Sequence, residues 1–182
     1  MLRLAATLVL ALLTNALDAT TAAKLDLDAL TDHSARIVVG KAGKGDARWD
    51  AAKAGIWTHY TVTVSETLKG DKAATTEVCI RGGVVGNVGQ HVAGAGRLEE
   101  GNEYLLFLWK DDAGRWRLQG MVQGAFALES RDGVVYARNA LTGLTIIDPK
   151  TLKPTGEAAG QEYKLADAKA KIAARIKAEG DK

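Results

Sequence analysis

Residues 81–108, RGGVVGNVGQHVAGAGRLEEGNEYLLFL, decide how the rest of the chain reads. Gly82 and Gly83 break a strand that ends at Arg81, and a glycine-rich loop then leads into Tyr104, Leu105, Leu106, Phe107, Leu108 and Trp109. A short unbroken apolar run suits a strand covered on both faces. A glycine-rich loop that ends in a strand, with no helix after it, fits neither a Walker phosphate loop nor a dinucleotide fingerprint. The glycines instead let a long loop cross tightly over the end of a sheet.

Upstream, residues 35–41 form a first strand around Ile37, Val38 and Val39, and the small, polar residues 43–55 read as a loop whose Trp49 folds back on the barrel mouth. Residues 57–68 alternate cleanly, with Tyr60, Val62, Val64 and Leu68 on one face and Thr61, Thr63, Ser65 and Thr67 on the other. After a turn at Lys69-Gly70-Asp71-Lys72, residues 76–81 give a strand with Val78 and Ile80 pointing together. Downstream, Asp111-Asp112-Ala113-Gly114 makes a hairpin turn, and residues 115–122 return with Trp116 and Leu118 inward. Phe126 and Leu128 continue the pattern, Arg131-Asp132-Gly133 turns the chain, and residues 134–138 close the series. About five to seven short strands spaced by turns indicate a mainly β fold, a small antiparallel barrel of OB type. Residues 139–160 read as an irregular connection, and 161–182 as a basic C-terminal α-helix with Leu165, Ala168, Ile172 and Ile176 on a narrow stripe.

The chain has 182 residues, enough for one domain and a modest appendage, and its 47% hydrophobic and 25% charged composition suits a packed fold. A formal charge of +2 gives no support to nucleic-acid binding. Met1-Leu2-Arg3, the apolar residues 4–13 and the small residues after them have the layout of a secretory signal within residues 1–23, cut after Ala16, Ala22 or Ala23. That run is too short for a stable membrane span, so a secreted or periplasmic protein is expected. Residues 24–34 then read as a linker and 35–138 as the barrel. Cys79 is the only cysteine, so no intramolecular disulfide forms, and its place between Val78 and Ile80 reads as burial.

Ile37-Val38-Val39-Gly40-Lys41, the strand that ends in Lys69-Gly70, and Gly101-Asn102-Glu103-Tyr104-Leu105-Leu106-Phe107 together resemble the netrin and tissue-inhibitor-of-metalloproteinase type of OB domain. They are also similar to uncharacterised exported bacterial proteins that share the Gly82-Gly83 and Gly89-Gln90 loop. The resemblance spans about residues 36–129 and implies non-catalytic binding of a protein partner by loops at one end of the barrel. Those inhibitors reach a protease zinc with an amino-terminal cysteine; this chain has none there.

The expected contact surface is the loop with Arg81, Gly82, Gly83, Gly89, Gln90, His91 and Arg97, facing another exported protein. The alternatives are a small thiol enzyme that uses Cys79 with a histidine, His91 in particular, and a structural cell-surface component held by the basic helix. His33, His59 and His91 lack ligand spacing and an accompanying acidic cluster, so neither a metal nor a cofactor is expected. Trp49, Trp57, Trp109 and Trp116 serve either as an aromatic binding face or as core and rim packing.

Overall fold

A computed structural model describes residues 20–148, 151–155 and 160–180, a mainly β fold with two helices. The apolar leader lies outside these residues. The first elements are a strand β1 (Thr20–Ala23) and a helix α1 (Leu27–His33). The helix starts where the Asp26 carboxylate accepts the Ala29 N–H at 2.8 Å, and it buries Leu27, Leu30 and Thr31. The linker expected over residues 24–34 is therefore a packed helix. Two leucines three residues apart are too little periodicity to announce seven residues of helix.

Two fourteen-residue strands follow, β2 (Arg36–Trp49) and β3 (Ile56–Lys69), paired antiparallel along their length. This replaces most of the loop expected over residues 43–55, leaving Asp50 to Gly55 as the turn, where the Asp50 carboxylate accepts the Ala54 N–H at 2.7 Å. The glycines that suggested a loop are there because β3 presses against them. A Cβ on Gly45 would lie 2.8 Å from the Tyr60 ring, and one on Gly43 would lie 2.9 Å from the Thr61 carbonyl oxygen. Register shifts near Ser65 and Leu68 also break the alternation: Tyr60, Val62 and Val64 share one core, while Leu68 packs against another.

The chain continues through β4 (Thr75–Arg81), a hairpin of β5 (Gly83–Val85) and β6 (Val88–Gln90), then β7 (Glu103–Lys110) and β8 (Trp116–Leu118). A short 3-10 turn (Met121–Gly124) leads to β9 (Ala125–Arg131) and β10 (Val134–Arg138). Last come β11 (Leu144–Ile147), β12 (Glu162–Lys164) and helix α2 (Leu165–Gly180). The large sheet has the order β12-β10-β9-β7-β2-β3-β4-β8, and β7 also pairs with β8. The pairings β7–β2–β3–β4–β8–β7 therefore form a closed cycle of five strands. Its β4–β8 contact is parallel and made by one pair, Val78 and Trp116.

β7 divides the interior. Tyr104, Leu106 and Leu108 join Val38, Tyr60, Val62, Val78 and Ile80 inside the strand cycle. Leu105 and Phe107 face the other way, packing with Ile37, Phe126, Leu27, Leu30, Ala168 and Ile172 beneath the two helices. The double-sided burial expected of this strand holds. The helix stripe holds too: Ala168 and Ile172 are buried, and Leu165 and Ile176 pack at the margin. Each fully buried Leu or Ile contributes about 1.5–3 kcal/mol, so α2 is fastened to the sheet. Within the expected irregular connection, β11 pairs in parallel with β1, and Leu144 and Ile146 form a third small core with Leu141. Its four residues and a partner more than a hundred positions upstream explain why local pattern did not reveal it.

Candidate functional site

The glycine-rich loop is folded rather than loose. Gly82 and Gly83 have φ of +106° and +137°, and a Cβ on Gly83 would lie 2.5 Å from the Thr58 hydroxyl oxygen. The Thr58 hydroxyl donates to the Gly82 carbonyl at 2.7 Å, and the Gln90 side-chain oxygen accepts the Ile56 N–H at 2.7 Å. Gly82, Gly83 and Gln90 thus fix the hairpin base to β3, and on the hairpin Val84 and Val88, 67% and 48% exposed, present apolar side chains to solvent. Gly89 is open apart from a Val84 methyl at 3.8 Å from its would-be Cβ. Arg81 and His91 flank the hairpin and are exposed. Arg97 lies farther along the chain, exposed and paired with Glu99 at 3.2 Å.

Arg81 also belongs to a second feature. Its guanidinium lies 5.3 Å from the centre of the buried Trp57 ring, with those of Arg115 and Arg117 at 4.0 and 4.8 Å. Arg117 also lies 5.2 Å from the Trp109 ring. Stacking on aromatic faces offsets the mutual repulsion of three cations. Asp111, hydrogen-bonded to Arg115 at 2.9 Å, supplies one compensating charge. Burial still pushes the Arg117 guanidinium below its usual range. Trp57 is therefore packing material beneath arginines, whereas Trp49 stays 38% exposed.

Beside this stack, cross-strand register brings together three side chains that are scattered in sequence. His59 on β3 stands opposite Cys79 on β4, and Thr61 stands opposite Glu77, so His59, Glu77 and Cys79 share the outer face. The His59 Nδ1 lies 3.2 Å from the Cys79 Sγ and 3.0 Å from the Glu77 Oε1, and the Sγ–Oε1 separation is 3.8 Å. Arg48 on β2 donates to the other Glu77 oxygen at 2.9 Å. Cys79 is buried, His59 is mostly covered and Glu77 is half exposed. The burial expected of Cys79 is observed. Burial, then the charge of Glu77, pushes its thiol up to about 11, while the hydrogen bond from His59 holds the Glu77 carboxyl below its usual range. At neutral pH the sulfur is a thiol, not a thiolate.

The ring beside the thiol is that of His59, where the sequence had pointed to His91. In a catalytic relay, nucleophile and acid occupy opposite imidazole nitrogens, so that one proton passes along the line. Here both Cys79 and Glu77 approach the same nitrogen. Sequence spacing missed the cluster because its members come from two strands, two positions apart on one and across the ladder on the other. Only the register of β3 against β4 supplies the signal.

Compared with known proteins, the chain matches no family model and no curated sequence.

Proposed function

We propose that the chain is an exported, non-catalytic protein-binding module on an OB-type barrel of the netrin-like kind, which seats its partner against the β5–β6 hairpin and the flanking Arg81 and His91. The observation that carries this reading is the exposure of Val84 and Val88 on a hairpin whose base is locked to β3. A rigid support with an apolar tip and a cationic flank loses little conformational entropy on docking. An OB barrel is a five-stranded, partly open Greek-key barrel, and the five-strand cycle, with β8 out of sequence order and one thin contact, supports that fold. Export rests on the apolar leader; a cut after Ala16 keeps β1 against β11, whereas cuts after Ala22 or Ala23 remove most or all of that strand. A buried, protonated Cys79 with acid and thiol on one imidazole nitrogen disfavours the thiol enzyme.

The test is a pull-down of envelope and culture-fluid proteins on immobilised wild type, the Val84→Asp/Val88→Asp variant and the Arg81→Ala/His91→Ala variant, all checked for folding by circular dichroism. Wild type is expected to retain one partner, whose affinity falls at least about tenfold in both variants, as loss of contact-centre residues does. Equal capture by all three sinks the hairpin as the contact.

A further inference from the structure

As a hydrogen-bonded group, the His59–Glu77–Cys79 cluster crowds an acid and a thiol onto one imidazole nitrogen. One imidazole nitrogen offers a single in-plane position, filled by either a proton or a lone pair. If His59 Nδ1 carries the proton and donates to Glu77 at 3.0 Å, the Cys79 thiol at 3.2 Å has no acceptor there and is left with Glu77 Oε1 at 3.8 Å. If Nδ1 is bare and accepts from the thiol, the Glu77 carboxylate faces a lone pair at 3.0 Å. The first arrangement gives Glu77 Oε1 two donors and leaves the 3.2 Å sulfur–nitrogen contact without a hydrogen bond of its own; the second sets a carboxylate against a lone pair.

A single positive centre among the three atoms can instead take a lone pair from each of them. We propose that His59, Glu77 and Cys79 form a three-donor site for a thiophilic divalent cation of the zinc class. The donor set is a sulfur, an imidazole nitrogen and a carboxylate oxygen, all within 4.8 Å of one another. Zinc bonds of about 2.3 Å to sulfur and about 2.0–2.1 Å to nitrogen and oxygen, at tetrahedral angles, put donors roughly 3.3–3.6 Å apart. The distances of 3.2, 3.0 and 3.8 Å lie within a few tenths of an ångström of that. Binding replaces the Cys79 proton, which leaves to solvent, with a sulfur–metal bond. Oxygen-preferring calcium or magnesium does not suit a thiolate and an imidazole. Arg48, bonded to the second Glu77 oxygen, fixes how the carboxylate presents the first. With three protein donors and a half-exposed Glu77, the fourth position is left to water or to a partner's side chain.

The site would also supply what the single cysteine cannot, a cross-link between β3 and β4 in a chain without disulfides. It lies one residue from Val78, where β4 meets β8.

The test is a titration of metal-stripped protein with Co(II), followed by Zn(II) competition. The readouts are thiolate-to-cobalt charge-transfer absorption in the near ultraviolet and metal content per chain. Wild type is expected to take up one ion with the thiolate band. His59→Gln and Glu77→Gln are expected to bind cobalt at least about tenfold more weakly, and Arg48→Ala about tenfold more weakly, as losses around a metal site do. His33→Gln is expected to match wild type in cobalt uptake. Cys79→Ser should abolish the band; since burial of the sulfur puts folding of that variant at risk, His59→Gln and Glu77→Gln decide the outcome. Folded wild type that takes up no cobalt overturns the proposal. So does cobalt binding unchanged in both His59→Gln and Glu77→Gln, which would place the ion on the thiol alone.

Discussion

The outer surface of the sheet is finished in two different ways. Over β2, β7 and β9 it is covered by α1 and α2, and the side chains beneath are aliphatic or phenyl: Ile37, Val39, Leu105, Phe107 and Phe126. Over the first half of β3, with β4 and β8, the outer face instead carries Trp57 beneath three arginines and His59 beside Glu77 and Cys79. The covered face is closed to solvent by the helices. The other face carries titratable groups, with Glu77 half exposed, and three arginines, of which Arg81 is exposed and Arg115 and Arg117 are half-buried against Trp57. Recognition chemistry in this molecule is therefore to be sought on the β3–β4 side and on the hairpin that leaves it.

Three measurements put this contrast to the test. The largest effect is expected from Ile172→Ala, which opens a cavity between α2 and the sheet at a side chain 1% exposed. Urea unfolding should show a loss of about 2–5 kcal/mol. A loss under about 0.5 kcal/mol would mean that the helix merely rests on the sheet. Arg117→Ala on the other face should cost only about 1 kcal/mol, since it removes stacking and not core volume. It should also shift tryptophan emission to the red as Trp57 and Trp109 gain solvent. A loss as large as that of Ile172→Ala would erase the distinction between the faces.

The smallest effect concerns acid. The hydrogen bond from Arg175 holds the Asp32 carboxyl below the usual carboxylate range, tying the end of α1 to α2. A group whose folded pKa is depressed contributes stability that is present above its unfolded pKa and fades as pH falls through the folded value. Wild type should therefore lose more stability than Asp32→Asn between pH 5 and the acid end of the titration, both followed by thermal unfolding. Parallel curves would show that this ion pair does not fasten the helices.

The strands legible in the sequence were those with strong local pattern: the alternation of Tyr60, Val62 and Val64 and the apolar run from Tyr104 to Trp109. The helix stripe of Leu165, Ala168, Ile172 and Ile176 was legible for the same reason. What escaped depends on partners distant in sequence. Gly43 and Gly45 look like loop residues until β3 is seen pressing on them, and β11 makes sense only with β1 beside it. Of the candidate contact loop, sequence located the exposed Arg81 and His91 but not the structural duties of Gly82, Gly83 and Gln90. His59, Glu77 and Cys79 became neighbours only through strand register, which no spacing rule encodes.

The single pair that joins β4 to β8 has a consequence for self-association. Eleven residue pairs hold β2 to β3, whereas Val78 and Trp116 alone join β4 to β8. Within the five-strand cycle, a foreign strand would have to displace one rung at this seam but a whole ladder at the β2–β3 join, so the cycle opens most easily here. An invading copy of the chain would bring its own arginines against Arg115 and Arg117 on the neighbouring face, and that repulsion opposes it.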